Sequence, residues 1–115
     1  KDTIRAFVLT AQSKKSIGEV INIGSGYEIS IGDLYNIICQ ITKTEIKIKK
    51  ETARIRPKQG EVYRLKADNK KAKKLIGWTP EYQNQKGLIK GLKETIDWFK
   101  TDTNLDKYKS DRYIT

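Results

Sequence analysis

Residues 54–80 read R-I-R-P-K-Q-G-E-V-Y-R-L-K-A-D-N-K-K-A-K-K-L-I-G-W-T-P. The second half of this stretch predicts a short helix, because Asp68 can cap its start and Gly77 can end it. Its apolar positions are Ala72, Leu75 and Ile76. Immediately before the helix, apolar and basic residues alternate over residues 63–67, which predicts a short strand with one wet face. The stretch therefore combines strand and helix signals within one segment.

The first half of the same stretch is a candidate anion site. Arg54 and Arg56 stand two residues apart, and Pro57 restricts the backbone of the residue before it. Arginine makes planar, bidentate contacts to phosphate, and Glu61 could accept hydrogen bonds from sugar hydroxyls. An exposed loop whose arginines pair with Glu51 or Glu61 explains the same residues equally well. The residues alone leave both interpretations open.

Periodicity predicts three further helices. The first opens at Asp2 or Thr3 as its cap and ends at Gly18, and its apolar positions recur at helical spacing: Ile4, Phe7, Val8 and Ala11. The second starts at Ser30, where Ser30 and Asp33 have the spacing of a capping box. Its apolar face comprises Leu34, Ile37, Ile38 and Ile41. The last runs over residues 85–100, with a stripe of Leu88, Leu92, Thr95, Ile96 and Phe99 and with Trp98 at its border.

Two more strands are predicted between the helices. Residues 19–23 form a short apolar run closed by Gly24-Ser25-Gly26, and residues 45–50 alternate isoleucine with lysine. The fold class is therefore mixed α/β, a small lobe of about four helices with short strands. We expect one domain over residues 1–100, followed by a C-terminal tail over residues 101–115.

Composition limits the chemistry. The 115 residues carry 24 Lys+Arg against 14 Asp+Glu, a net charge of +10 that suits an anionic partner such as nucleic acid, a membrane surface or a phosphorylated small molecule. Without histidine, Ser-His-Asp catalysis, Cys-His catalysis and the usual zinc sites are excluded. Cys39 is the sole cysteine, so no internal disulfide can form and a cytoplasmic location is expected. No apolar run approaches the length that spans a membrane.

Two short motifs resemble catalytic signatures, and we interpret both as coincidental. Gly24-Ser25-Gly26 follows a predicted strand, but Ile29 stands where a dinucleotide loop needs its third glycine, so a tight turn is the better interpretation. Tyr82 and Lys86 have Tyr-x-x-x-Lys spacing. Catalysis requires both on one helix face, whereas this pair straddles a loop and a predicted helix start.

The basic and aromatic residues also have simpler explanations. The lysines alternate with isoleucine and leucine, which is typical of solvated faces, and no aromatic residues interleave with them as a nucleic-acid platform requires. They are Lys47, Lys49, Lys50, Lys70, Lys71, Lys73 and Lys74. Trp78 and Trp98 are expected to anchor a core or an interface, and Cys39 to be a small packing residue.

A co-linear set of motifs carries a family resemblance. The pattern R-P-x(n)-E-V-x-x-L-x-A-D-x-x-K-A-x-x-L-x-G-W-x-P is followed by a Gly-Leu helix ending in Trp-Phe, and is preceded by D-T-I-R-A-F and G-E-V-I-N-I-G-S-G-Y-E-I-S-I. Over residues 2–100 it resembles the C-terminal part of extended short-chain dehydrogenase/reductases, most closely nucleotide-sugar 4,6-dehydratases of the GDP-mannose 4,6-dehydratase type and related NAD-dependent epimerases. The resemblance implies a fragment of a larger enzyme.

The resemblance implies a role for this lobe. In such enzymes a Rossmann domain carries the glycine-rich NAD(P) loop and the catalytic Tyr-Lys pair, and this lobe grips the nucleotide diphosphate of the sugar substrate. Neither NAD nor NADP is expected on this chain, and no catalysis is expected of it alone. Matched to the family pattern, Arg56 contacts the diphosphate and Glu61 the nucleotide ribose, with Arg54 and Arg64 as nearby helpers.

One departure from the family pattern is visible. The GDP-mannose-type motif is R-P-x-E-V, whereas two extra residues separate Pro57 from Glu61 here. The assignment of Glu61 and the identity of the nucleotide depend on this spacing. The alternative from another class is a small basic module that binds nucleic acid or a protein without catalysis.

Overall fold

The computed structural model describes residues 1–45, 47–49, 62, 64–101 and 104. Its helices are α1 (Asp2–Gln12), α2 (Ile31–Thr42), α3 (Lys70–Ile76) and α4 (Asn84–Phe99), with one 3₁₀ turn (Lys14–Ser16) after α1. The four predicted helices are confirmed. The described residues contain no β-strand, so the mixed α/β class is not confirmed.

The core forms where α1 crosses α3. Trp78 is fully buried, and Ala6, Ala72 and Ile76 pack with it. Partly buried side chains surround this cluster, namely Leu9, Ile21, Ile23 and Leu75. The prediction that Trp78 is a core anchor is confirmed. Trp98 is 45% exposed and meets Phe99 edge-to-face with ring centroids 5.0 Å apart.

The predicted buried face of α1 is wrong. Ile4 and Phe7 are 69% and 72% exposed and Val8 is 50% exposed, whereas Ala6 on the opposite side is buried. Arg5 fixes this rotation, because its guanidinium donates to the carbonyl oxygen of Thr79 and lies 5.9 Å from the centre of the Trp78 ring. Small Ala6 therefore faces the core and the larger apolar residues face outward.

Both predicted ends of α1 also differ from the structure. Neither Asp2 nor Thr3 caps the helix, whose N-cap residue is Lys1. Asp2 lies in the first turn, and its carboxylate instead accepts the backbone N–H groups of Glu81 and Tyr82 at 3.0 Å. The helix ends at Gln12, before Gly18, because the Ser16 hydroxyl donates to the Thr10 carbonyl at 2.7 Å within the 3₁₀ turn.

The predicted strand over residues 19–23 is wrong, and the other two predicted strands are not confirmed. Residues 19–23 are wholly described and form no β-strand. A strand needs hydrogen bonds to a neighbouring strand, whereas Ile21 and Ile23 of this segment pack against the helical core. The described parts of the other two predicted strands, residues 45 and 47–49 and residues 64–67, are also not strands. Ile46, Lys50 and Tyr63 lie outside the described residues.

The remaining helix ends follow the sequence closely. Ser30 caps α2 as predicted: its Oγ accepts the Asp33 N–H at 3.0 Å and donates to the Asp33 carboxylate at 2.6 Å. The N-cap residue of α3 is Asn69 and not the predicted Asp68, although the Asp68 carboxylate accepts the Lys70 N–H at 2.9 Å. The helix ends at Gly77 as predicted, with a φ of +65°. Within the described part of the chain, no helix has the length and apolar character needed to cross a membrane.

Candidate functional site

Of the four predicted substrate residues, Arg64 is described. Arg54, Arg56 and Glu61 lie outside the described residues. The Arg64 guanidinium forms a two-point ion pair with the Glu28 carboxylate, with Nε 3.2 Å from Oε2 and Nη2 bonded to Oε1. The side chains of Arg64 and Glu28 are 79% and 35% exposed. Arg64 is therefore paired with a carboxylate, a contact that sequence reasoning did not foresee.

This ion pair borders a groove of about 920 Å³, which lies between α2 with the segment before it and residues 62, 64 and 65. Its wall includes Tyr27, Ser30 and Asn36, which offer hydroxyl and amide groups, together with the apolar side chains of Ile31 and Leu65. Concave sites of several hundred Å³ with a few polar groups are the usual size for small-molecule binding. The groove can hold a small polar ligand.

Among the described residues that line this groove, the carboxylates of Glu28 and Asp33 outnumber the single cation, Arg64. The hydrogen bond from Arg64 holds the pKa of Glu28 below its ordinary value, and the nearby charges of Arg64 and Lys66 act in the same direction. Glu28 is therefore a carboxylate at neutral pH and offsets the charge of Arg64. An anion that binds to Arg64 must share or displace this contact.

A second groove adjoins the first and is positively charged. It has a volume of about 710 Å³, and Tyr27 lines both grooves. Lys66, Lys70 and Lys73 line the second groove, and among the described residues the only ion pair to any of them is a long contact of 3.9 Å from Lys70 to Asp68. This groove suits an anionic group better than the groove at Arg64, whose described lining carries more carboxylates than cations.

Asn69 fixes the turn that forms one side of the second groove. Its side-chain amide accepts the Gly24 N–H at 3.1 Å and donates to the Gly24 carbonyl at 2.6 Å. A Cβ at Gly24 would lie 2.6 Å from the Cβ of Ala67, so only glycine permits this approach. Gly26 has a φ of +67°, in keeping with the predicted tight turn. Sequence reasoning missed Asn69, since nothing local links it to a glycine 45 residues earlier.

The Tyr82–Lys86 pair has the placement that the sequence predicts. Tyr82 lies in the loop before α4 and Lys86 in the first turn of that helix. The Tyr82 hydroxyl donates to the Glu94 carboxylate at 2.8 Å, and this bond is the main cause that raises the Tyr82 pKa above its ordinary value. A tyrosine that acts as a general base needs a lowered pKa, so this environment opposes that role.

The described residues thus form a small helical domain with two adjoining polar grooves. A family model described as GDP-mannose 4,6 dehydratase matches residues 1–90. The chain therefore belongs to the GDP-mannose 4,6-dehydratase family, among the nucleotide-sugar epimerases and dehydratases of the extended short-chain dehydrogenase/reductase type. The resemblance inferred from the sequence motifs is confirmed.

Three curated relatives are similar to this chain. A putative UDP-glucose 4-epimerase from Methanocaldococcus jannaschii is 40% identical over 84 residues, which cover 73% of this chain and 25% of the relative. A UDP-glucuronate 4-epimerase from Thermodesulfobacterium geofontis is 36% identical over 100 residues, or 85% of this chain and 28% of the relative. A UDP-glucose 4-epimerase from Mycolicibacterium smegmatis is 28% identical over 99 residues, or 86% of this chain and 29% of the relative.

The chain spans about a quarter of the length of these relatives. No solved structure matches it.

Proposed function

We propose that residues 1–100 form the substrate-binding portion of an NAD(P)-dependent nucleotide-sugar epimerase or 4,6-dehydratase, with residues 101–115 as a tail. The observation that carries this proposal is the family match over residues 1–90, which includes the arginine–proline stretch. The relatives' names support a nucleotide sugar as substrate: two are UDP-glucose 4-epimerases, one of them putative, and one is a UDP-glucuronate 4-epimerase. A cytoplasmic location belongs to the same proposal.

Within this proposal Arg56 holds the diphosphate and Glu61 the nucleotide ribose, with Arg54 and Arg64 nearby. In the described structure the Arg64 guanidinium lies at the edge of a groove, where a bound anion would compete with Glu28 for it. Lys66, Lys70 and Lys73 give the adjoining groove the positive charge that a diphosphate needs. Binding energy from the diphosphate would hold the sugar in place for reaction.

The cofactor belongs to the rest of the enzyme in this proposal. NAD or NADP, held by a Rossmann domain, would supply the hydride chemistry at the sugar ring. This chain binds the nucleotide diphosphate and covers the sugar. Purified 115-residue chain should not turn over a nucleotide sugar when NAD is added, and turnover would contradict the proposal.

Calorimetry tests the proposed site directly. UDP-glucose and GDP-mannose are titrated into the wild-type chain and into Arg56→Ala, with Lys15→Ala as a control that also removes one positive charge. Loss of one charge-assisted hydrogen bond to phosphate weakens binding by about ten- to a hundred-fold. Arg56→Ala should show this loss and Lys15→Ala should not. Equal binding heats for wild type and Arg56→Ala would remove Arg56 from the site.

A further inference from the structure

The lysines of α3 divide between different sides of the helix. Lys70 and Lys73 stand three positions apart and share a face, and both line the groove of about 710 Å³. Lys71 points elsewhere, since its ammonium group pairs with the Glu19 carboxylate at 2.7 Å. Lys66, in the segment before α3, also lines the groove. We call the groove lined by Lys66, Lys70 and Lys73 the lysine groove.

Hydrogen bonds hold the walls of the lysine groove in place without a ligand. The Asn69 side chain joins the turn at Gly24 to the start of α3 through two hydrogen bonds, of 3.1 and 2.6 Å. Thr79 and Pro80 form another part of the wall. The Arg5 guanidinium donates to the Thr79 carbonyl oxygen, and Pro80 is buried. A site whose walls are already ordered loses little conformational entropy when a ligand binds.

The described lining of the lysine groove carries more cations than carboxylates. Three lysines line it together with one acidic residue, Asp68. The Asp68 carboxylate accepts the Lys70 N–H at 2.9 Å and lies 3.9 Å from the Lys70 ammonium group. Cations gathered around one concave surface repel each other, and a bound anion relieves this repulsion. The lysine groove therefore suits an anion with more than one negative charge.

We propose that the lysine groove is a diphosphate-binding site that is formed by Lys66, Lys70 and Lys73 and does not require Arg56. A lysine ammonium group is a compact charge with three hydrogen-bond donors, which suits it to phosphate oxygens. Two linked phosphates occur in a nucleotide sugar and also in free diphosphate compounds, and both present the same chemistry to the groove. The inference rests on the proposed function in its choice of diphosphate as the anion.

The shape of the lysine groove favours a small ligand over a nucleic acid. A surface that binds a nucleic-acid strand follows the backbone and carries several aromatic side chains on which successive bases stack. The lysine groove is a single depression of about 710 Å³, within the usual size of small-molecule sites. Among its described lining residues, Tyr27 is the one aromatic residue. A compact phosphate compound fits this surface better than a strand does.

Calorimetry with inorganic diphosphate tests the site in the absence of a nucleotide. The diphosphate is titrated into the wild-type 115-residue chain, into Lys70→Gln/Lys73→Gln, into Lys14→Gln/Lys15→Gln and into Arg56→Ala. Lys14 and Lys15 are exposed and lie outside the lysine groove, so the second double variant removes the same charge elsewhere. Glutamine has a helix propensity close to that of lysine, so α3 should remain folded, which far-UV circular dichroism checks.

The variants should separate the groove from net charge. Lys70→Gln/Lys73→Gln should weaken diphosphate binding by roughly tenfold or more, whereas Lys14→Gln/Lys15→Gln and Arg56→Ala should change it little. Lys70→Arg/Lys73→Arg keeps both charges and should retain binding.

Three results would overturn the proposal. The first is an equal loss in the two double glutamine variants, because binding would then follow net charge alone. The second is a loss in Arg56→Ala as large as in Lys70→Gln/Lys73→Gln. The third is saturable binding of a short single-stranded oligonucleotide, lost in Lys70→Gln/Lys73→Gln, without binding of inorganic diphosphate, since the groove would then belong to a nucleic-acid surface.

UDP-glucose identifies the source of the diphosphate. If it displaces inorganic diphosphate, and its own binding depends on Lys70 and Lys73, the lysine groove is part of the nucleotide-sugar site. If UDP-glucose and inorganic diphosphate bind together, the groove serves a separate phosphate compound. Both results support the diphosphate site.

The lysine groove and the proposed function can fail separately. If inorganic diphosphate binding depends on Lys70 and Lys73 while UDP-glucose and GDP-mannose do not bind, the lysine groove stands and nucleotide-sugar binding by this chain is lost. If nucleotide-sugar binding depends on Arg56 and the Lys70 and Lys73 variants affect neither ligand, the lysine groove is overturned and the proposed function stands.

Discussion

The Trp78 core and the groove at Arg64 differ in how their polar groups are held. The Trp78 ring is fully buried, and its N–H donates to the Asp2 carbonyl oxygen at 3.1 Å. The Asp2 carboxylate in turn accepts two backbone N–H groups, from Glu81 and Tyr82, and pairs with Arg5 at 3.1 Å. Arg64 and Glu28 form one pair in contact with solvent. The first region should control stability, and the second should control binding with little effect on stability.

The largest expected effect is at Trp78. Trp78→Ala removes the largest fully buried side chain and should lower the free energy of unfolding by about 3–5 kcal/mol. Trp78→Phe keeps an aromatic ring but leaves the Asp2 carbonyl without its donor, so a smaller loss is expected. Guanidinium unfolding followed by far-UV circular dichroism measures both. Equal stability of wild type and Trp78→Ala would show that the core does not depend on this residue.

Asp2 should have the next largest effect. In the wild type both oxygens of the Asp2 carboxylate accept backbone N–H groups. Asp2→Asn removes the charge and replaces one of these acceptor oxygens with an NH₂ donor. We expect a loss of about 1.5–3 kcal/mol in the free energy of unfolding at pH 7. Asp33→Asn is a matched control in an exposed helix cap, and its loss should be smaller. A larger loss for Asp33→Asn would reverse this ranking.

The Asp2 effect should depend on pH. Burial raises the Asp2 pKa, but hydrogen bonds from Glu81, Tyr82 and Arg5 outweigh it, and the pKa lies below the ordinary value of 3.8. A carboxyl group with a lowered pKa stabilises the fold above its unfolded pKa, and this stabilisation is lost as the pH falls through the folded pKa. The difference between wild type and Asp2→Asn should be constant from pH 5 to 7 and shrink below about pH 4. A difference that stays constant to pH 2 would contradict this assignment.

The sequence predicts local features of this fold better than long-range ones. Periodicity gives the four helices, and the capping box at Ser30 gives the start of α2. Periodicity does not say which side of a helix finds a partner, and Ala6 rather than Phe7 faces the core. Likewise, the apolar run over residues 19–23 has strand character, but nothing in its own letters shows whether a neighbouring strand exists.

The candidate site shows the same limit. The motif containing Arg64 predicts a helper near a phosphate, whereas its pairing with Glu28 joins residues 36 positions apart. The contact of Asn69 with Gly24 spans 45 positions, and that of Asp2 with Tyr82 spans 80. Such contacts depend on how helices pack, which a single sequence does not encode in any short pattern. Residue type indicates which contacts a side chain can make, and the fold decides which partner it contacts.

The smallest expected stability effect is at the Glu28–Arg64 pair, and it sharpens the comparison with the core. Exposed ion pairs contribute little to stability because water and salt screen them. Arg64→Gln and Glu28→Gln should each shift the guanidinium midpoint by no more than roughly 0.2 M.

Binding should separate these two variants although stability does not. If Arg64 helps to hold a diphosphate, Arg64→Gln weakens nucleotide-sugar binding, whereas Glu28→Gln frees the guanidinium from a competing carboxylate and leaves binding equal or stronger. Calorimetry at two salt concentrations measures both, and the effect of Arg64→Gln should shrink at the higher salt. This expectation assumes that Glu28 competes with the ligand for the Arg64 guanidinium. A loss of binding in Glu28→Gln as large as in Arg64→Gln would contradict it and would mean that the carboxylate holds Arg64 in position for the ligand.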